Sequence, residues 1–152
     1  MERKKTRQIH IGKVAIGGGA PVSVQSMTNT KTADVSATVT QIHALTEAGC
    51  NIVRLAVPDM DSAKALGDII RSVDVPLVAD VHFDYRLALE AIRQGISALR
   101  LNPGNIGGEE RVKAVVREAK AAGIPIRIGV NGGSLDKKLL ELRGSSHMFQ
   151  LN

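Results

Sequence analysis

An apolar run broken by one charged side chain recurs four times along the chain, at residues 51–58, 76–82, 97–102 and 125–131. In an extended segment, successive side chains point to opposite faces. Leu99 and Leu101 therefore face one way and Arg100 and Asn102 the other; Arg127 shares a face with Asn131, Asp80 shares one with His82, and Arg54 interrupts the first run. A charge inside a buried strand is costly unless something pairs with it. Three of the runs follow an amphipathic segment that closes on a glycine: Gly49, Gly95 and Gly123. This alternation is the pattern of repeated βα units, parallel strands with helices on their outer side. Such folds place ligand sites at the carboxyl ends of their strands, so three arginines gathered there imply a bound anion.

Ahead of these units, residues 9–11 and 14–16 flank Gly12 and Lys13 as a short hairpin, a lid on one end of the sheet. Gly17 to Gly19 read as a turn, because a proline and a strand follow them where a phosphate loop would open a helix. Residues 22–27 read as the first buried strand, and Asp34 as the N-cap of a helix carrying Val35, Val39, Ile42 and Leu45. A second helix is expected over 61–73, and a third with Leu87, Ala91 and Ile92 as its stripe. The fourth has Val112, Val115, Val116 and Ala119 as its stripe, Glu109 and Glu110 in its first turn and Lys120 in its last, with Gly123 as the stop. A last helix is expected from Ser134, with Leu135, Leu139, Leu140 and Leu142.

The count is five parallel strands and five helices. A closed (β/α)8 barrel needs eight of each and about 250 residues, so 152 residues make an open sheet or an incomplete barrel. The rhythm stops at 142. Residues 143–152 read as a tail outside the domain, and within it Gly144 to Met148 resemble a cloning remnant in composition.

Composition excludes several classes. With 43% hydrophobic and 23% charged residues the chain is an ordinary globular one. Its formal charge is +5, but four basic residues against one acidic fall within residues 1–7, and one Tyr and two Phe offer few stacking platforms, so no nucleic-acid partner is expected. Cys50 is the single cysteine, which excludes a disulfide framework and any cluster built on this chain's own thiolates. No apolar run is long enough to span a bilayer and no signal peptide opens the chain, so a cytoplasmic protein without membrane contact is expected.

Arginine's fork of donors suits phosphate oxygens, and two phosphoryl groups call for several forks. Arg54, Arg100 and Arg127, with the amides of Asn102 and Asn131, supply such a set from three strands. The competing reading pairs each arginine with a carboxylate such as Asp80. Asp80 and His82, two apart on one strand, can orient a ligand hydroxyl or shuttle a proton. They lack a third partner with the spacing of a metal site, and no metal is expected.

The motifs VQSMTNT (24–30), IVR (52–54) with Val57 and Pro58, PLVADVHFDYR (76–86), LRLNPGNIG (99–107) and IPIRIGVN (124–131) closely resemble the N-terminal barrel of the 4-hydroxy-3-methylbut-2-en-1-yl diphosphate synthase family, over residues 7–142. The resemblance implies the N-terminal part of a TIM barrel, about five βα units with an N-terminal hairpin in residues 1–142. It implies an oxidoreductase of the non-mevalonate isoprenoid pathway, acting on 2-C-methyl-D-erythritol 2,4-cyclodiphosphate. Arg54, Arg100, Asn102, Arg127 and Asn131 would hold the diphosphate, and Asp80 and His82 would line the pocket as catalytic residues.

The family also uses a 4Fe–4S cluster in a separate C-terminal domain, flavodoxin or ferredoxin as electron donor, and a homodimer in which the cluster closes a partner's barrel. That domain is absent from this sequence, so the chain is expected to bind no cluster and to be inactive in reduction by itself. The open edges of a partial barrel are expected to drive homo-oligomerisation or aggregation. The alternative of another class is a non-catalytic module that binds a phosphorylated metabolite.

Overall fold

The computed structural model describes residues 4–129. Residues 9–16 form the expected antiparallel hairpin, β1 (Ile9–Ile11) and β2 (Val14–Ile16), with Ile11 opposite Val14. The units then follow in order: β3 (Gln25–Met27), α1 (Val35–Glu47), β4 (Ile52–Ala56), α2 (Met60–Arg71), β5 (Leu77–Val81), α3 (Tyr85–Arg93), β6 (Ala98–Leu101), α4 (Pro103–Ile106), α5 (Glu109–Ala122) and β7 (Ile126–Ile128). Strands β3 to β7 form one parallel sheet in sequence order. This is the incomplete α/β barrel that the repeated units predict.

The two faces of the sheet differ in chemistry. On the outer face Val53, Leu55, Leu77, Ala79, Val81, Leu99 and Leu101 are buried against Ile42, Leu66, Ile69, Leu87 and Val115 of the helices. On the inner face Ile52, Val78 and Ala98 form a small apolar layer, and Ile11, Val14 and Ile16 of the hairpin pack on it. The hairpin thus plugs the amino-terminal end of the sheet, leaving the polar positions of β4, β5 and β6 toward the carboxyl end.

Local chemistry sets the boundaries. Asp34, Asp59 and Asp84 precede α1, α2 and α3, and each accepts a hydrogen bond from a first-turn amide: Ala37 N at 3.0 Å, Ser62 N at 2.8 Å and Arg86 N at 2.9 Å. The Ser62 amide holds the Asp59 carboxyl below its ordinary pKa, and the Arg86 side chain does the same for Asp84. Gly49, Gly95 and Gly123 end α1, α3 and α5 with φ of 96°, 90° and 69°. At each, the following residue's N–H reaches back to a carbonyl in the helix (Leu45, Ala91 and Ala119), which closes a Schellman motif.

Four expectations change. Val116, read into the stripe of α5, is 47% exposed, because the buried line of that helix runs through Val115 and Ala119 and turns residue 116 toward solvent. The first strand is shorter and more exposed than residues 22–27 suggest: β3 holds Gln25–Met27, while Val22 and Val24 are 76% and 54% exposed. β3 is an outer strand of the sheet, and just before it the Val24 amide donates to the Asn51 side chain. Helix α2 ends at Arg71, two residues early, capped at Ser72. A four-residue helix, α4, follows β6, with Asn102 as its N-cap and Pro103 in its first turn. The helix expected from Ser134, the tail 143–152 and Asn131 lie outside the described residues.

Candidate functional site

The site grows from strand register. Ala56, Asp80, Arg100 and Arg127 stand opposite one another across β4, β5, β6 and β7. Alternation adds Arg54, two residues before Ala56, and His82, two residues after Asp80, to the same inner face. The sequence thus brings together five of the residues it singled out.

Asp80 is the centre. Its side chain is 4% exposed, and its Oδ1 lies 3.1 Å from Arg100 Nη1 and 3.1 Å from His82 Nε2, while its Oδ2 lies 3.5 Å from Arg54 Nε. Arg54 Nε also reaches the Met27 sulfur at 3.3 Å, so the neighbouring strand steadies that guanidinium. Arg100 Nη1 and His82 Nε2 are 3.4 Å apart. Whether the imidazole nitrogen accepts from the guanidinium is set by its tautomer, and both nitrogens also lie 3.1 Å from the same Asp80 oxygen.

The competing reading, arginine paired with Asp80, thus describes two of the three arginines. It does not neutralise the site. Three guanidiniums face one carboxylate, and Arg127, exposed on β7, forms no ion pair among the described residues. A buried carboxylate between two arginines fixes their forks, while the excess positive charge stays available for an anion.

Asn102 is 2% exposed and acts as a cap, since its Oδ1 accepts from the Gly104 amide at 3.2 Å at the start of α4. Just beyond the site, the Asp84 carboxylate takes the Arg86 side chain at 2.6 Å, and the Arg111 guanidinium lies 5.6 Å over the Tyr85 ring. Phe83, 75% exposed, stands beside the His82 ring. Met27 is the neighbour that sequence reading missed. Its signal is positional, since it faces Arg54 across the β3–β4 register.

A family model described as the GcpE TIM-barrel domain matches residues 6–151. The chain belongs to the GcpE TIM-barrel family. The match runs past residue 142, where the βα rhythm of the sequence stops. Over 139 residues the chain is 60% identical to the 4-hydroxy-3-methylbut-2-en-1-yl diphosphate synthase (flavodoxin) of Alcanivorax borkumensis, covering 91% of this chain and 37% of that protein. It is 60% identical over 144 residues to the synthase of the same name from Clostridium perfringens, covering 95% and 41%. With the Maridesulfovibrio salexigens synthase it shares 62% over 144 residues, covering 95% and 40%. The chain therefore spans about two-fifths of the length of the curated relatives it matches.

The family's cluster does not fit the described residues. Among them, no three His, Cys, Asp or Glu side chains are grouped to hold a metal, and Cys50, the sequence's one thiol, packs against the outer core, on the helix side of the sheet. No helix among the described residues is long and apolar enough to cross a membrane.

Proposed function

We infer that the inner face is the diphosphate-holding part of a 4-hydroxy-3-methylbut-2-en-1-yl diphosphate synthase, working in the cytoplasm on 2-C-methyl-D-erythritol 2,4-cyclodiphosphate. The observation that carries this reading is the pair of arginines from two strands fixed on buried Asp80, with Arg127 in the same row and in no ion pair among the described residues. In this reading Arg54, Arg100 and Arg127 take the phosphate oxygens, and the amides of Asn102 and Asn131 complete the set. Asp80 orients Arg54, Arg100 and His82. His82, at the open end of the row with a side chain 45% exposed, faces the carbon chain and delivers a proton to the hydroxyl that leaves as water.

The whole reaction opens the cyclic diphosphate by two electrons. A flavodoxin donor is supported by the names of the relatives, with ferredoxin as the other candidate. The work of the present residues is binding, orientation and proton delivery. A homo-oligomer is supported by the outer position of β3 in the described sheet. The chain's own contribution is tested by calorimetric titration with the cyclodiphosphate. Arg100→Ala is expected to raise the Kd about tenfold to a hundredfold, the worth of one or two charge-assisted hydrogen bonds. An unchanged Kd, or no binding by the parent chain, would overturn the reading.

A further inference from the structure

Gly129 follows β7 by one residue, and its amide donates to the Leu101 carbonyl at 2.8 Å, so the β6–β7 ladder runs one step past the strand's end. Alternation puts position 129 on the inner face with Arg127. There the Arg100 guanidinium crosses from the neighbouring strand. A Cβ on Gly129 would lie 2.6 Å from Arg100 Nη2, 2.8 Å from Nε and 3.0 Å from Cζ. The backbone at Gly129 lies outside the left-handed region, so its dihedrals make no demand for glycine. The demand comes from the arginine. Because the struck atoms are the tip of a flexible side chain, a methyl group at 129 would displace the guanidinium, and with it the 3.1 Å contact to Asp80.

We propose that Gly129 is a positioning residue of the anion site: the missing side chain leaves the space from which the Arg100 guanidinium meets both Asp80 and a phosphate oxygen. The proposal rests on the reading of the inner face as a diphosphate site. It assigns the glycine no contact with substrate, only a hold on the residue that makes one.

The test is calorimetric titration of the full chain with the cyclodiphosphate, in the parent, Gly129→Ala, Arg100→Lys and the double variant. Lysine lacks the planar fork that the added methyl group would strike. Gly129→Ala is expected to weaken binding about tenfold and to leave Tm unchanged or slightly higher, since alanine restricts the unfolded chain. In the Arg100→Lys background the same change is expected to cost under about twofold, the non-additivity of residues that act as a pair. Equal losses in both backgrounds, or no loss in either, would overturn the proposal. Gly129→Ala that fails to fold alone but folds with Arg100→Lys supports it; failure to fold in both overturns it. If the parent chain does not bind the cyclodiphosphate, the functional reading falls. The Arg100 Nε–H resonance of the free protein then decides the positioning role: a shift on Gly129→Ala supports it and an unmoved signal overturns it.

Discussion

Replacing Asp80 by asparagine keeps the shape of the side chain and removes the charge that Arg54 and Arg100 share. Two guanidiniums would then face each other across a neutral amide. Breaking a fully buried pair costs about 3–5 kcal/mol, but these arginines keep 26% and 20% of their side-chain surface in solvent. Asp80→Asn is therefore expected to lower stability by about 2 kcal/mol in urea unfolding. Inorganic pyrophosphate is expected to raise the variant's Tm more than the parent's, because an anion restores the missing charge; an equal rise in both would contradict the shared-carboxylate arrangement. At this scale much was legible. Period-two alternation alone puts Asp80 with His82 and Arg100 with Asn102. That Arg54 and Arg100 both reach Asp80 depends on β5 lying between β4 and β6, which residue spacing does not state. The capping use of Asn102 was hidden for a similar reason, since an amide beside a proline and glycine fits a ligand or a turn equally well.

Helices α1, α2 and α3 are held at their starts by carboxylates, and that makes them sensitive to acid. Asp34→Ala is expected to cost about 1 kcal/mol by loss of the cap on α1. Asp59 and Asp84 have folded pKa values below their ordinary ones, Asp59 through the Ser62 amide and Asp84 through the Arg86 side chain. Their contribution is fully present above the ordinary aspartate range and is lost as pH falls through the lowered folded values. Tm measured from neutral pH downward should fall in that acidic window, and less steeply in Asp59→Ala and Asp84→Ala; identical slopes would remove the caps as the cause. The long elements were legible because several signals coincide, as in α5, where Val115 and Ala119 are buried, Glu109 and Glu110 open the helix, Lys120 lies in its last turn and Gly123 stops it. Helix α4 was not, because four residues are too few to show a period. The first strand misled because Val22 and Val24 look buried by composition, and composition does not reveal that β3 lies at the edge of the described sheet.

As a whole, the described residues make five of a barrel's strands, with a plugged amino-terminal end and a charged inner face. β3 is an outer strand of the described sheet, with exposed Val24 just before it, and such an edge can recruit another chain. Sedimentation velocity should show association that grows with concentration and weakens in Val24→Lys, which places a charge on that edge; one sharp monomer boundary at every concentration would contradict it. The most direct test of the account follows the arginine Nε–H signals by nitrogen–proton NMR while the chain is titrated with the cyclodiphosphate, and separately with the phosphate-free polyol 2-C-methyl-D-erythritol. Arg54, Arg100 and Arg127 are expected to shift with the cyclodiphosphate and to stay still with the polyol. Unmoved signals from these three, or equal shifts with both compounds, would contradict a diphosphate site on the inner face.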